Sequence, residues 1–193
     1  DWLRSAGVDP DRDVRIVVVP PGQMIRHLSA GTIDGYYAGE PWNTVAVQAG
    51  AAWSPLTSAT QQPGHLETAL ITSSAFSARN ATEHSALVAS LIEAGAWCGD
   101  PANREHLTKM LGQPQFLNLP AAVVGPSLTG KFDGGKGRVE NGPGFHLFTG
   151  GDNNTPTLAR ATAMQRALAG AGLIPATLAA DAGLPGNLFR EDL

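Results

Sequence analysis

The chain has 193 residues, a formal net charge of −4 and 42% hydrophobic residues, enough to bury a core in one or two domains and too apolar for a disordered chain. A single cysteine excludes a disulfide framework and any multi-cysteine zinc module. The absence of a basic run argues against direct nucleic-acid binding, and no apolar stretch approaches the roughly 20 residues that cross a bilayer.

The elements follow in chain order. Trp2, Leu3 and Ala6 are spaced for one helix face and Gly7 suits the position after a C-cap, but no N-cap residue precedes them. The chain therefore reads as opening in mid-helix, truncated at its N-terminus. Val14 to Val19 is β-branched and bounded by Asp13 and Pro20-Pro21, which predicts a buried strand. Met24, Ile25 and Leu28 predict a helix over Gln23 to Ala30, stopped by Gly31. A second strand is expected over Ile33 to Ala38, and a helix over Trp42 to Gln48 with Pro41 at its first position. This alternation is the pattern of a parallel α/β sheet.

Further strands are expected over Ala51 to Leu56 and Thr68 to Ser74. Asn80 or Thr82 then caps a long helix carrying Leu87, Val88, Leu91, Ile92 and Ala96. Pro101 opens another over Ala102 to Leu111, closed by Gly112. Residues 125–144 are rich in glycine and proline and predict loop. Phe145 to Phe148 alternates, Thr155-Pro156 is expected to cap a helix running through Leu168, and the tail from Thr177 holds a short helix.

Few residues suggest chemistry. Gly130 to Gly137 has the spacing of a phosphate-binding loop, but Gly137 stands where magnesium needs a hydroxyl. With loop expected on both sides, it reads as a mobile surface loop. The five histidines show no metal-ligand pairing. His27, His84 and His106 read as solvent-facing on helices, and His65 is the one histidine near the expected cleft. Cys98 reads as a small buried hydrophobe. No metal, cofactor or catalytic set is expected.

The informative stretch is Gly31 to Asn43. A strand ends at Ala38, Gly39 allows close backbone approach, and Pro41 opens the next helix. In open parallel sheets the carboxyl ends of strands and the adjacent helix N-termini form the ligand crevice, where backbone N–H groups bind small anions. Trp42 could wall such a pocket. Equally, Gly39 and Pro41 could be turn chemistry alone, with Trp42 in the core.

A resemblance extends this reading. Residues 7–43 combine G-x-D-P-D-x-D-V, P-P-x-Q-M, L-x-x-G-x-I-D-G and G-E-P-W-N at matched spacing. Together they resemble the second lobe of the nitrate/bicarbonate-binding family of ABC-transporter substrate-binding proteins. Weaker likeness continues through Trp97 with Asp100 to Glu105, through Leu128 to Gly130 with Phe145, His146 and Phe148, and into the tail at Phe189 to Leu193. The resemblance implies an α/β fold similar to type II periplasmic binding proteins: two lobes joined by crossing strands. Residues 1–75 would form most of lobe two, and 76–193 the C-terminal part of lobe one.

By the same resemblance, the turn at Gly39, Glu40, Pro41 and Trp42 faces the ligand, with Gly39 its nearest backbone. Nitrate binders of the family carry a lysine, and bicarbonate binders an acid, at the position that aligns with Thr68. The neutral hydroxyl of Thr68 leaves nitrate, nitrite, another small anion or an organic ligand open. The implied function is reversible capture of a small anion by hinge closure, without enzymatic chemistry, for delivery to an ABC permease. The implied setting is periplasmic or lipid-anchored, with contact to the membrane only through permease or anchor. Two other roles occur among similar proteins: a cytoplasmic nitrate or nitrite sensor that sequesters an RNA-binding antiterminator, and a thiamine-pyrimidine-synthase-like enzyme.

Overall fold

The computed structural model describes residues 2–142 and 145–190. The chain divides into two compact units, one made of residues 1–18 with 154–193 and the other of residues 19–153.

Helix α1 (Trp2–Ser5) opens the first unit, and Gly7 follows at a φ of 80°, as the sequence predicts. The second unit carries α2 (Pro21–Ser29), α3 (Trp42–Gln48), α4 (Ser58–Gln61), α5 (Ser74–Arg79) and α6 (Ala81–Gly99). A 3-10 turn at Pro101–Asn103 leads into α7 (Arg104–Leu111), and α8 (Ala121–Thr129) follows. Next come β1 (Lys131–Gly135) and β2 (Arg138–Asn141). The chain then returns to the first unit as α9 (Leu158–Gly170), α10 (Ala176–Ala179) and α11 (Leu184–Leu188).

The core of the second unit lies between α7 and α8. Leu107, Val124 and Leu128 are buried there, with Cys98, Met110, Leu119 and Phe148 packed around them. Cys98 thus contributes apolar packing, as expected of it. Its burial pushes the thiol pKa up, against the smaller opposing pull of Arg104. Phe132 on β1 is 1% exposed, a burial that contributes about 1.5–3 kcal/mol.

Residues 125–144 depart from the loop expectation. They form the end of α8 and, over the described part, an antiparallel hairpin that pairs Phe132 with Glu140 and Asp133 with Val139. The glycines that signalled loop are the hinges of this hairpin. Gly130 ends α8 in the left-handed region, and Gly135, Lys136 and Gly137 turn the chain at φ of 79°, 52° and 78°. The segment with phosphate-loop spacing is this hairpin. Pro126 sits inside α8, where it has no N–H to give the carbonyl of Ala122. The side-chain amide of Gln48 on α3 donates to that carbonyl instead, at 2.9 Å.

Two helix-level expectations also shift. The N-cap of α9 is Thr157, whose hydroxyl accepts from the N–H of Arg160, two residues beyond the expected Thr155. His84 is buried rather than solvent-facing, held by Ser77 at 3.0 Å and edge-on to Phe76. The expected strands at 14–19, 33–38, 51–56 and 68–74 form no ladder, with Ser74 opening α5 instead, and the one sheet among the described residues is the hairpin. A strand needs a ladder of backbone bonds to a neighbour; segment 51–56 makes one such bond, from the Ser54 N–H to the Gly134 carbonyl of β1 at 2.7 Å, and no ladder forms among the described residues, while Ile16 is 74% exposed, Val18 99% and Ile71 86%.

Candidate functional site

The turn before α3 is fixed by four hydrogen bonds that involve its own side chains. Asn43 Nδ2 donates to the carbonyl of Ala38 at 2.7 Å, and the hydroxyl of Tyr36 donates to the carbonyl of Trp42 at 2.9 Å. Glu40 Oε2 accepts from the hydroxyl of Thr44 at 2.6 Å and from its backbone N–H at 3.3 Å. The carboxylate thereby meets one of the otherwise unpaired N–H groups of the first helical turn. Burial, and then the charge of Glu40, raise the pKa of the Tyr36 phenol. The phenol therefore keeps its proton, which the bond to Trp42 requires.

A cavity of about 270 Å³ opens beside this turn. Its polar lining is Glu40, Glu67, Thr68, Ser127 and His146; its apolar side is Pro41 together with the α7–α8 core, including Val124, Leu128 and Phe148. The lining thus joins chain segments far apart in sequence. Glu40 and Pro41 come from the turn before α3, Glu67 and Thr68 from an extended segment, Ser127 from α8, and His146 from the segment after the hairpin.

His146 packs against Phe145 and Phe148 at ring separations of 5.2 and 5.8 Å. The guanidinium of Arg104 lies over the Phe148 ring at 4.8 Å. Burial lowers the His146 pKa; Glu67 opposes this and Arg104 adds to it. The ring is neutral near pH 7, with one nitrogen donating and the other accepting. Glu40 Oε1 is buried and has no hydrogen-bond partner among the described residues.

Of the four residues singled out in sequence, Glu40 and Thr68 meet in this lining. Gly39 adjoins it: a Cβ there would stand 3.5 Å from Glu67 Oε1, which leaves room for close approach of the backbone. Trp42 stands apart, its ring tip packed on Gly22 of α2 at the distance of a would-be Cβ, 3.4 Å. Sequence reasoning missed Glu67, Ser127 and His146, and pointed instead to His65, which is not in the lining. The signal for His146 was its place between Phe145 and Phe148, an imidazole set in an apolar alternation. Among the described residues no group of three or more histidine, cysteine, aspartate or glutamate side chains is disposed to hold a metal ion.

Comparison with known proteins adds lineage to this geometry. The model of the NMT1-like family matches residues 1–112. The nitrate/nitrite binding protein NrtA of Nostoc sp. is 30% identical over 152 residues, which span 79% of this chain and 34% of that protein. The bicarbonate transport ATP-binding protein CmpC of Synechocystis sp. is 34% identical over 176 residues, 90% of this chain and 26% of that protein. Among solved structures, the periplasmic nitrate-binding protein NrtA from Synechocystis PCC 6803 superposes with a TM-score of 0.92 at 23% identity, covering 99% of this chain and 50% of that one. The chain thus spans between about a quarter and half the length of these relatives.

Proposed function

The chain belongs to the NMT1-like family and has the fold of the type II periplasmic binding proteins, and we propose that it serves in a solute-binding protein that captures a small anion for an ABC transporter. One observation carries the reading. The Gly39-Glu40-Pro41 turn, which the family resemblance sets toward the ligand, borders a cavity into which a second segment brings Thr68. Relatives named for nitrate, nitrite and bicarbonate support a small anion as the cargo.

In this reading Gly39, Glu40 and Thr68 contact the solute. Trp42 keeps the turn in place through its packing on α2. Residues 1–75 supply most of one lobe and 76–193 part of the other, with capture by hinge closure and release to a permease. The protein acts by binding alone, outside the cytoplasmic membrane, in the periplasm or on a lipid anchor. No helix among the described residues is long and apolar enough to cross a membrane, and contact with the bilayer runs through the permease or the anchor.

Calorimetric titration of the complete protein with nitrate, nitrite, bicarbonate and cyanate tests the reading. Binding of at least one is expected, weakened at least tenfold by Thr68→Ala or Glu40→Ala. Absence of heat with all four refutes a small-anion cargo.

A further inference from the structure

The two walls of the cavity are also joined outside it, by the hairpin. Ser127 and Leu128 line the cavity just before β1 and His146 just after β2, while no hairpin residue lines it. The hairpin lies instead along residues 53–57, in the same part of the chain as the turn. The Ser54 N–H donates to the Gly134 carbonyl at 2.7 Å, and Arg138 Nη1 to the Ser54 carbonyl at 3.4 Å. The Thr57 hydroxyl donates to Glu140 Oε2 at 2.7 Å, and Arg138 Nη2 donates to the other oxygen of that carboxylate. The Lys136 ammonium stands 4.6 Å from the centre of the Trp53 ring.

Glycine makes this approach possible. A Cβ on Gly134 would stand 2.9 Å from the Ser54 carbonyl oxygen, well inside the roughly 3.5–4.0 Å of favourable contact. The base of the hairpin is also glycine: the Gly142 N–H donates to the carbonyl of Gly130, whose φ is 72°. The buried ring of Phe132 packs on Phe145, in the same part of the chain as the hairpin. Polar ties and a glycine base suit a contact that parts and re-forms, because each such bond exchanges readily for one to water. Resting on the solute-binding reading above, we propose that the hairpin is a clasp on the cavity. Docked on residues 53–57, it holds the wall of Ser127, Leu128 and His146 against the turn at Glu40; released, it lets the solute leave.

Two variants of the complete protein test this. Gly134→Ala drives a methyl against the Ser54 carbonyl at a position whose φ is not left-handed, so the contact changes and the hairpin backbone does not. Thr57→Val removes the donor to Glu140 and Thr57→Ser keeps it; this pair carries the test if Gly134→Ala does not fold. Stopped-flow tryptophan fluorescence is read with whichever of nitrate, nitrite, bicarbonate and cyanate binds most tightly. Gly134→Ala and Thr57→Val should each speed release at least about fivefold with association within about twofold, and Thr57→Ser should match the wild type. Hydrogen exchange gives a readout that lost stability alone does not mimic. Saturating anion should slow exchange of the Ser54 amide at least about fivefold in the wild type, although no residue of 53–57 lines the cavity, and much less in the two fast-releasing variants. Unchanged release in folded variants, or a Ser54 amide indifferent to the anion, overturns the clasp and leaves the solute-binding reading standing. Binding of none of the four anions overturns both.

Discussion

The anchoring of Glu40 by Thr44 sets how the carboxylate meets the cavity, and Thr44→Val isolates it. Valine keeps the shape of threonine and removes the hydroxyl. Thr44 is 3% exposed, and its hydroxyl gives the 2.6 Å bond to Glu40 Oε2. The backbone N–H at 3.3 Å remains as the only donor to that oxygen. A hydrogen bond to a charged group contributes about 1.5–3 kcal/mol. At about 2–4 °C per kcal/mol for a chain of this size, the unfolding midpoint should fall by roughly 3–12 °C. Differential scanning calorimetry of the complete protein reads this, in the transition that contains the unit of residues 19–153. Thr44→Ser keeps the hydroxyl and should lose much less. A Thr44→Val loss below about 0.5 kcal/mol, the range of a neutral surface change, would refute the anchoring role. Equal losses in Val and Ser would assign the effect to the methyl group instead.

Gln48→Ala should cost about 1 kcal/mol in urea denaturation by leaving the Ala122 carbonyl without its donor; in a Pro126→Ala background, where the backbone N–H returns, the loss should largely vanish. Gly130→Ala should destabilise by more than about 2 kcal/mol, since a left-handed φ of 72° is costly for alanine and the new Cβ would run into the Gly142 carbonyl. His146→Gln should flatten the acid side of the stability profile. Burial holds the imidazole pKa below its unfolded value, so the wild type keeps this contribution above about pH 6.5 and loses it as pH falls toward the folded value. Midpoints measured at pH 7.5 and 5.5 should converge in the variant, and an unchanged difference would remove His146 as its source.

Helices were legible wherever the signal was local. The stripe of Met24, Ile25 and Leu28 lies in α2, and the proline before α3 and the glycine after α7 stand at the helix ends. Each depends on residues within a turn or two of one another. Residues 125–144 were misread because glycine and proline were counted as composition. Gly130, Gly135 and Gly137 are single positions at which the backbone needs a positive φ, and between them Phe132 is buried, at 1% exposed. The alternation of Phe132 with buried Gly134 on β1 hid the strand, since a glycine on the inner face carries no hydrophobic signal.

The candidate site divides along the same line. Glu40 was found because its turn is contiguous: the glycine, the acid, the proline and the capped Thr44 lie within six residues. Glu67 and His146 have their meaning only once α8 and the hairpin bring the chain back to that turn, and no spacing in sequence encodes the meeting. The four extended segments make the converse case. Their β-branched runs report a need for burial, which sequence shows well, but pairing belongs to two strands at once. Val18 at 99% exposed and Ile71 at 86% are apolar side chains in segments that form no ladder among the described residues. The demand for burial and the pairing that meets it are separate facts, and only the first is written in a single run of residues.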